Sequence, residues 1–169
     1  MANRTSWVAG NGVGLTWTTA FNAGSGLDLN VGLQNGYSIL ASSTAIANGT
    51  NLDQFAAVSF VGALGSSSAI AAGANLAFWL AMLNEDGTTY GDNQLTAGTA
   101  FNGTPSWGPP TFVLPLYAST RTSIIGQISG VVLPPTSFLF VMQNNSGFTL
   151  ATGTSNVCKY ITYNQNLND

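Results

Sequence analysis

The chain reads as an all-β protein: a single β-sandwich of about eight strands behind an extended N-terminal arm. Three observations predict this. At 169 residues the length suits one domain with one core. Glycine occurs 20 times and proline six, punctuating apolar segments whose lengths are those of strands rather than helices. In FAAVSFVG, residues 55–62, the alternate positions Ala56, Val58 and Phe60 are all apolar, the period of a half-buried strand.

Taken in order, residues 1–14 form the arm, with Arg4, Trp7 and several glycines, and residues 15–169 the sandwich. Strands are predicted at VGLTWT (13–18), LDLNVGL (27–33), FAAVSFVG (55–62) and LAFWLAML (76–83). Four more fall at TFVLPLY (111–117), TSIIGQI (122–128), SFLFVMQN (137–144) and CKYITYN (158–164). A helix over residues 45–60, capped by Asn51, is the rival reading there. Its template catches Leu52, Phe55 and Ala56 but then Ser59, so a strand preceded by a single turn fits better. Pro115 removes a ladder donor and assigns its strand to an edge or a bulge.

Two strands break the alternation. In LAFWLAML, Leu76, Phe78, Leu80 and Met82 oppose Ala77, Trp79, Ala81 and Leu83. In SFLFVMQN, Phe138, Phe140 and Met142 oppose Leu139 and Val141. Either a long loop of the same chain covers the second face, or neighbouring subunits do. The composition favours subunits: charged residues are 5% of the chain, so little charge must be desolvated on contact with another protein. NGTPSWGPP, 102–110, is a stiff connection whose Trp107 either folds back onto its own sheet or inserts into a partner. The arm poses the same choice.

Charge and composition exclude several function classes. With Arg4, Arg121 and Lys159 as the only cations and a net charge of −3, the chain lacks the cationic cluster that nucleic acid or an anionic membrane requires. The longest nearly apolar run, residues 69–83, is short for a bilayer and contains Gly73 and Asn75. MANRTSW has no apolar signal core, so the sequons at Asn3, Asn48 and Asn102 read as ordinary Asn and Thr richness. Histidine is absent and Cys158 is the single cysteine. That removes Ser-His-Asp and Cys-His catalysis, the usual zinc ligands and any internal disulfide. No cofactor, metal site or enzymatic activity is expected.

NEDGTTYGDN, residues 84–93, gathers Glu85, Asp86 and Asp92, half of the six acidic residues. It lacks the register of a calcium loop. Glu85 and Asp86 are sequence neighbours in a turn, not carboxyls facing each other across a sugar cleft. Asp86-Gly87 suits a tight turn needing positive φ. The segment therefore reads as a wet turn closing a buried strand.

The segment LAFWLAMLNEDGTTYGDN, the later block GVVLPPTSFLFVMQNNSGFTL and the closing NVCKYITYN together resemble the capsid cement or decoration proteins of tailed phages. The likeness runs from near Asn51 onward; the first fifty residues match nothing in that pattern. It implies a jelly-roll-like fold and a virion protein made in the host cytoplasm. It further implies a place on the capsid exterior as a homotrimer, with the major capsid protein as partner. The residues offered for partner contact are Arg4, Trp7, Tyr90 and Trp107. The alternative is a phage-fibre or lectin-like module, with Tyr90 and Trp107 as sugar platforms.

Overall fold

A computed structural model describes residues 4–9, 18–19, 40–43, 45–63, 70, 72–91, 100–101, 108–118, 123–151 and 156–168. Among these there is no helix. The strands are β1 (Arg4–Ala9), β2 (Thr18–Thr19), β3 (Leu40–Ser42), β4 (Phe55–Ala63), β5 (Asn75–Met82) and β6 (Ala100–Phe101). They continue as β7 (Phe112–Pro115), β8 (Tyr117–Ala118), β9 (Ser123–Val132), β10 (Phe138–Asn145) and β11 (Val157–Asn168). The first sheet runs β1-β11-β4-β9-β8, with β2 also on β11; the second runs β6-β3-β10-β5-β7. Every described pairing is antiparallel.

The expected strands at 55–62, 76–83, 122–128, 137–144 and 158–164 are present, the last extended to Asn168, whereas the single strand expected over 111–117 is two, β7 and β8, one at the edge of each sheet. Of 13–18 only Thr18 is described, in β2, and 27–33 lies outside the described residues. Part of the expected arm is a strand: Arg4–Ala9 pairs with β11 from Arg4↔Asn168 to Ala9↔Tyr163. Nothing in residues 1–14 themselves reveals that β11 is long enough to offer this segment a partner.

The two sheets share one core. β4, β9 and β11 contribute Ala56, Val58, Phe60, Ile124, Val131 and Cys158; β5, β7 and β10 contribute Leu76, Phe78, Phe112, Leu114, Phe138, Phe140 and Met142. Phe140 lies at the centre, its ring 5.5 Å from Phe138, 6.2 Å from Phe112 and 6.3 Å from Phe78. Across the sheets it reaches Tyr160 at 5.7 Å. Mostly edge-on, these contacts suit the ring quadrupole. Two layers of antiparallel sheet around one apolar interior are the arrangement of a β-sandwich.

Leu116 carries the chain between sheets, from β7 at the edge of the second to β8 at the edge of the first. Pro115 thus stands on an edge strand, opposite Asn75. Gly126 on β9 makes the crossover possible: a Cβ there would lie 2.8 Å from the Pro115 carbonyl oxygen and 2.9 Å from Leu114 Cγ.

The second face of β5 and β10 is closed within the chain. Leu139 and Val141 are fully buried, and Ala77, Trp79, Ala81 and Tyr90 nearly so, in a second cluster flanked by Leu83. Neighbouring subunits are not needed to hide this face, which corrects the expectation drawn from low charge. Trp79 Nε1 donates to the Gly108 carbonyl at 3.2 Å, so the end of the 102–110 connection folds back onto β5.

The link into β4 is a built turn. Asn48, buried, accepts from the Asp53 amide at 2.8 Å and donates to the carbonyls of Asp53 at 2.9 Å and Pro134 at 2.6 Å. Asn164 Nδ2 donates to the Asp53 carboxylate at 3.1 Å while its Oδ1 accepts from the Gln54 amide at 2.8 Å. Inside this frame Leu52 has φ +52°, its amide donating to the Asn48 carbonyl at 2.8 Å.

Candidate interaction surface

The outer face of the first sheet is assembled by strand register. Val157 on β11 stands opposite Val61 on β4, Val61 opposite Ile125 on β9, and Ile125 opposite Tyr117 on β8. Their alternation partners Cys158, Phe60 and Ile124 enter the core, which turns this row outward. Val61 is 47% exposed, Ile125 42% and Tyr117 68%, with Val157 half-buried. At ordinary strand spacing the row is roughly 14 Å across. One face of an antiparallel sheet that meets water is normally polar, and contiguous apolar surface marks a contact site.

The neighbouring row, Lys159–Ser59–Gln127, is polar. A pocket of about 350 Å³ opens between the two rows, lined among the described residues by Ser59, Val61, Val157 and Lys159. Farther along, Tyr163, Phe55 and Val132 form another row. There the Phe55 and Tyr163 rings stack at 5.8 Å, and Tyr163 Oη accepts from the Gly130 amide at 2.8 Å. Val132 is 66% exposed. The long exposed face therefore ends in apolar side chains at both extremes.

Charge is sparse on this surface. Lys159 is the only cation among the described side chains, and it is exposed. Asp86 sits far off in the turn after β5, where its carboxylate accepts from the Thr88 and Thr89 amides at 2.8 Å and from Thr89 Oγ1 at 2.6 Å. Those bonds, the Thr89 hydroxyl first, lower its pKa to about 2. Gly87 takes φ +69° and the Asn84 amide donates to the Thr89 carbonyl at 2.8 Å, so the acidic segment is the tight turn its Asp-Gly pair predicts. Burial pushes the Cys158 thiol up to about 12, leaving it a small hydrophobe rather than a nucleophile. Burial, and next the Asp53 carboxylate, raise Tyr160. Among the described residues no three His, Cys, Asp or Glu side chains converge as metal ligands.

The residues singled out for partner contact are not brought together. Tyr90 is 7% exposed, packed in the cluster with Trp79, Leu139 and Val141. This corrects its assignment as a surface platform: the tight turn folds it back, through a bridge to Leu83, onto the sheet. Arg4 and Trp7 belong to β1, opposite Asn168 and Gln165, but their side chains, like Trp107, lie outside the described residues. The row of Val61, Ile125 and Tyr117 was missed. Its signal was present in the adjacent isoleucines of TSIIGQI, since neighbours on a strand face opposite sides and one must point outward. Comparison with protein-family models, curated proteins and solved structures finds no match.

Proposed function

We propose that this chain is a non-enzymatic virion structural protein, a cement or decoration protein that lies on the exterior of a tailed-phage capsid and stabilises the major capsid lattice as a homotrimer. The observation that carries the proposal is the outward row Val61, Ile125 and Tyr117, continuous across three strands. Among the described residues the adjoining row Lys159–Ser59–Gln127 is polar and carries a single charge, so contact expels water with little charge to desolvate. Each buried Å² of apolar area contributes roughly 25 cal/mol before ordering costs. Repetition over many copies on one particle makes release improbable even where each contact is weak.

Strand order supports a jelly roll. The series β1-β11-β4-β9 in one sheet and β3-β10-β5-β7 in the other is the alternation that two nested Greek keys create. Support also comes from the sequence blocks around β5, β10 and β11. The closed second face of β5 and β10 is set aside as a contact. Particles lacking the chain should rupture at lower temperature than complete ones, and re-addition of the protein should restore the difference. Equal resistance would overturn the proposal.

A glycan-binding module is the second reading, favoured by the exposure of Tyr117 alone. Its register neighbour is Ile125 rather than a hydrogen-bonding Asn or Asp, which suits a protein partner better than a sugar. Binding to a glycan array in the absence of capsid would reverse that preference.

A further inference from the structure

β5 loses its neighbour halfway along. On the edge away from β10, β7 pairs with Asn75 through Phe78 and no farther. In an antiparallel ladder alternate residues turn both N–H and C=O to the same neighbour. The Leu83 amide donates to the Ser137 carbonyl, on the β10 side, at 2.9 Å, so Leu80 and Met82 turn their backbone groups to the opposite edge. Pro110 stands next in register against Leu80 and, lacking an N–H, cannot donate to the Leu80 carbonyl. The chain leaves the sheet edge at that point: the Leu80 amide donates to Thr111 Oγ1 at 3.2 Å, and the Gly108 carbonyl accepts from Trp79 Nε1. At the far end the Gly91 amide donates to the Met82 carbonyl at 2.9 Å, and Asn84 Nδ2 holds the Gly91 carbonyl at 2.9 Å. Among the described residues nothing takes up the Leu80 carbonyl or the Met82 amide, an acceptor and a donor side by side on one edge.

A cavity of about 280 Å³ lies over this gap, walled by Pro109 and Thr111 at one end and by Asn84 and Gly91 at the other. None of the residues lining it is charged. The unpaired groups define their complement. An extended main chain turns N–H and C=O together toward one neighbour, whereas a planar trans amide such as the acetamido group of a sugar points them in opposite directions. A peptide main chain therefore satisfies both groups and a single amide does not. Directly opposed residues share a face of the sheet, so a residue set against Ala81 lays its side chain on the face of Trp79, with Pro109 in the same wall. Those surroundings are apolar, and the volume exceeds the roughly 150 Å³ that admits a benzene ring.

We propose that this gap is a docking site for a short extended segment of a partner protein, added to the edge of β5 opposite Leu80–Met82 with an uncharged apolar residue against Ala81. Strand addition of this kind draws affinity from main-chain bonds and selectivity from alternate side chains. Thr111 and Gly91 close the two ends, so the gap takes about three residues, roughly 10 Å of chain, rather than a full strand. The site is an edge of the second sheet, separate from the row Val61, Ile125 and Tyr117 on the first, and it does not rest on the capsid reading.

Amide NMR on the isotope-labelled full chain, titrated with the capped peptide acetyl-Ser-Ile-Ser-amide, tests the site. The Met82 amide should move downfield and saturate at millimolar peptide, with the Gly91 and Thr111 amides following. The same peptide N-methylated at its isoleucine and second serine offers the Leu80 carbonyl no donor in either chain direction, and should bind about ten-fold more weakly or worse. Acetyl-Ser-Asp-Ser-amide should weaken by a similar factor, having a charge to desolvate. Met82→Pro removes the donor without breaking a described bond, because that N–H faces the open edge; it should melt close to wild type and lose the response at Gly91. If that variant fails to fold, the N-methylated peptide decides alone. No saturable movement at Met82, or equal binding of the N-methylated peptide, would overturn the inference. So would a Met82 amide that shifts with protein concentration alone, which assigns the gap to a second copy, or one that answers N-acetylglucosamine as it answers the peptide. Particle rupture is a separate measurement, so failure of this site leaves the capsid reading standing, and the reverse.

Discussion

Val61 on β4 and Ile125 on β9 face each other across the first sheet and both point outward, while their neighbours Phe60 and Ile124 are fully buried. Apolar side chains thus occupy both surfaces of β4 and β9, one inside the core and one in water. An outward pair of this kind adds little to folding and much to contact. Ile125→Lys should therefore change unfolding free energy by no more than about 0.5 kcal/mol, while reducing incorporation into particles at least ten-fold. Denaturant titration and a particle co-sedimentation assay read the two effects separately.

Phe140 should behave in the opposite way. It contacts rings from β5, β7 and β11 and is fully buried. Phe140→Ala should cost about 3–5 kcal/mol through lost transfer energy and the cavity left behind, seen as a lower midpoint in urea at an unchanged slope.

Asn48 organises the turn that displays Leu52. Asn48→Ala leaves the Asp53 amide and two carbonyls without their partner, each buried group costing about 1–3 kcal/mol. Stability should fall by about 2–4 kcal/mol after partial rescue by water. Faster exchange of the Asp53 amide would locate the loss in this turn.

Asp86 titrates low because its ionised form accepts bonds from Thr88 and Thr89. Its folded pKa, about 2, is depressed from 3.8, so its contribution is present above pH 3.8 and is lost as pH falls through about 2. An NMR titration should show the Asp86 carboxyl and the Thr89 amide moving together at the acid end. In Asp86→Asn the Thr89 amide should show no step over that interval.

Cys158 is fully buried with its thiol pKa near 12. A thiol reagent at pH 8 should label it only through unfolding, at a rate that rises with denaturant. Its sign in linkage is clear: the thiol stays protonated in the fold while the unfolded chain ionises above about 9, so stability declines between there and about 12. Rapid labelling of native protein would contradict the burial.

Much of the fold was legible in the residues. Proline and glycine punctuation located β4, β5, β7, β9, β10 and β11, and Asp86-Gly87 announced its turn, because these effects are local. The chain's cover over Trp79, Leu139 and Val141 was not legible, since the same two-faced strand results whether a loop or a partner closes it. Tyr90 was misplaced for the same reason: only the Leu83–Tyr90 bridge shows which way the turn folds. The outward row escaped because register between β4, β8, β9 and β11 is a tertiary property. Leu52 carries no sequence signal: its positive φ sits inside a turn that Asn48 frames through bonds to the Leu52 and Asp53 backbone.

A cryo-EM map of a tailed-phage particle carrying this chain is the most direct measurement. The account predicts density of neighbouring protein against Val61, Ile125 and Tyr117. A bound chain whose first sheet faces open solvent would contradict it.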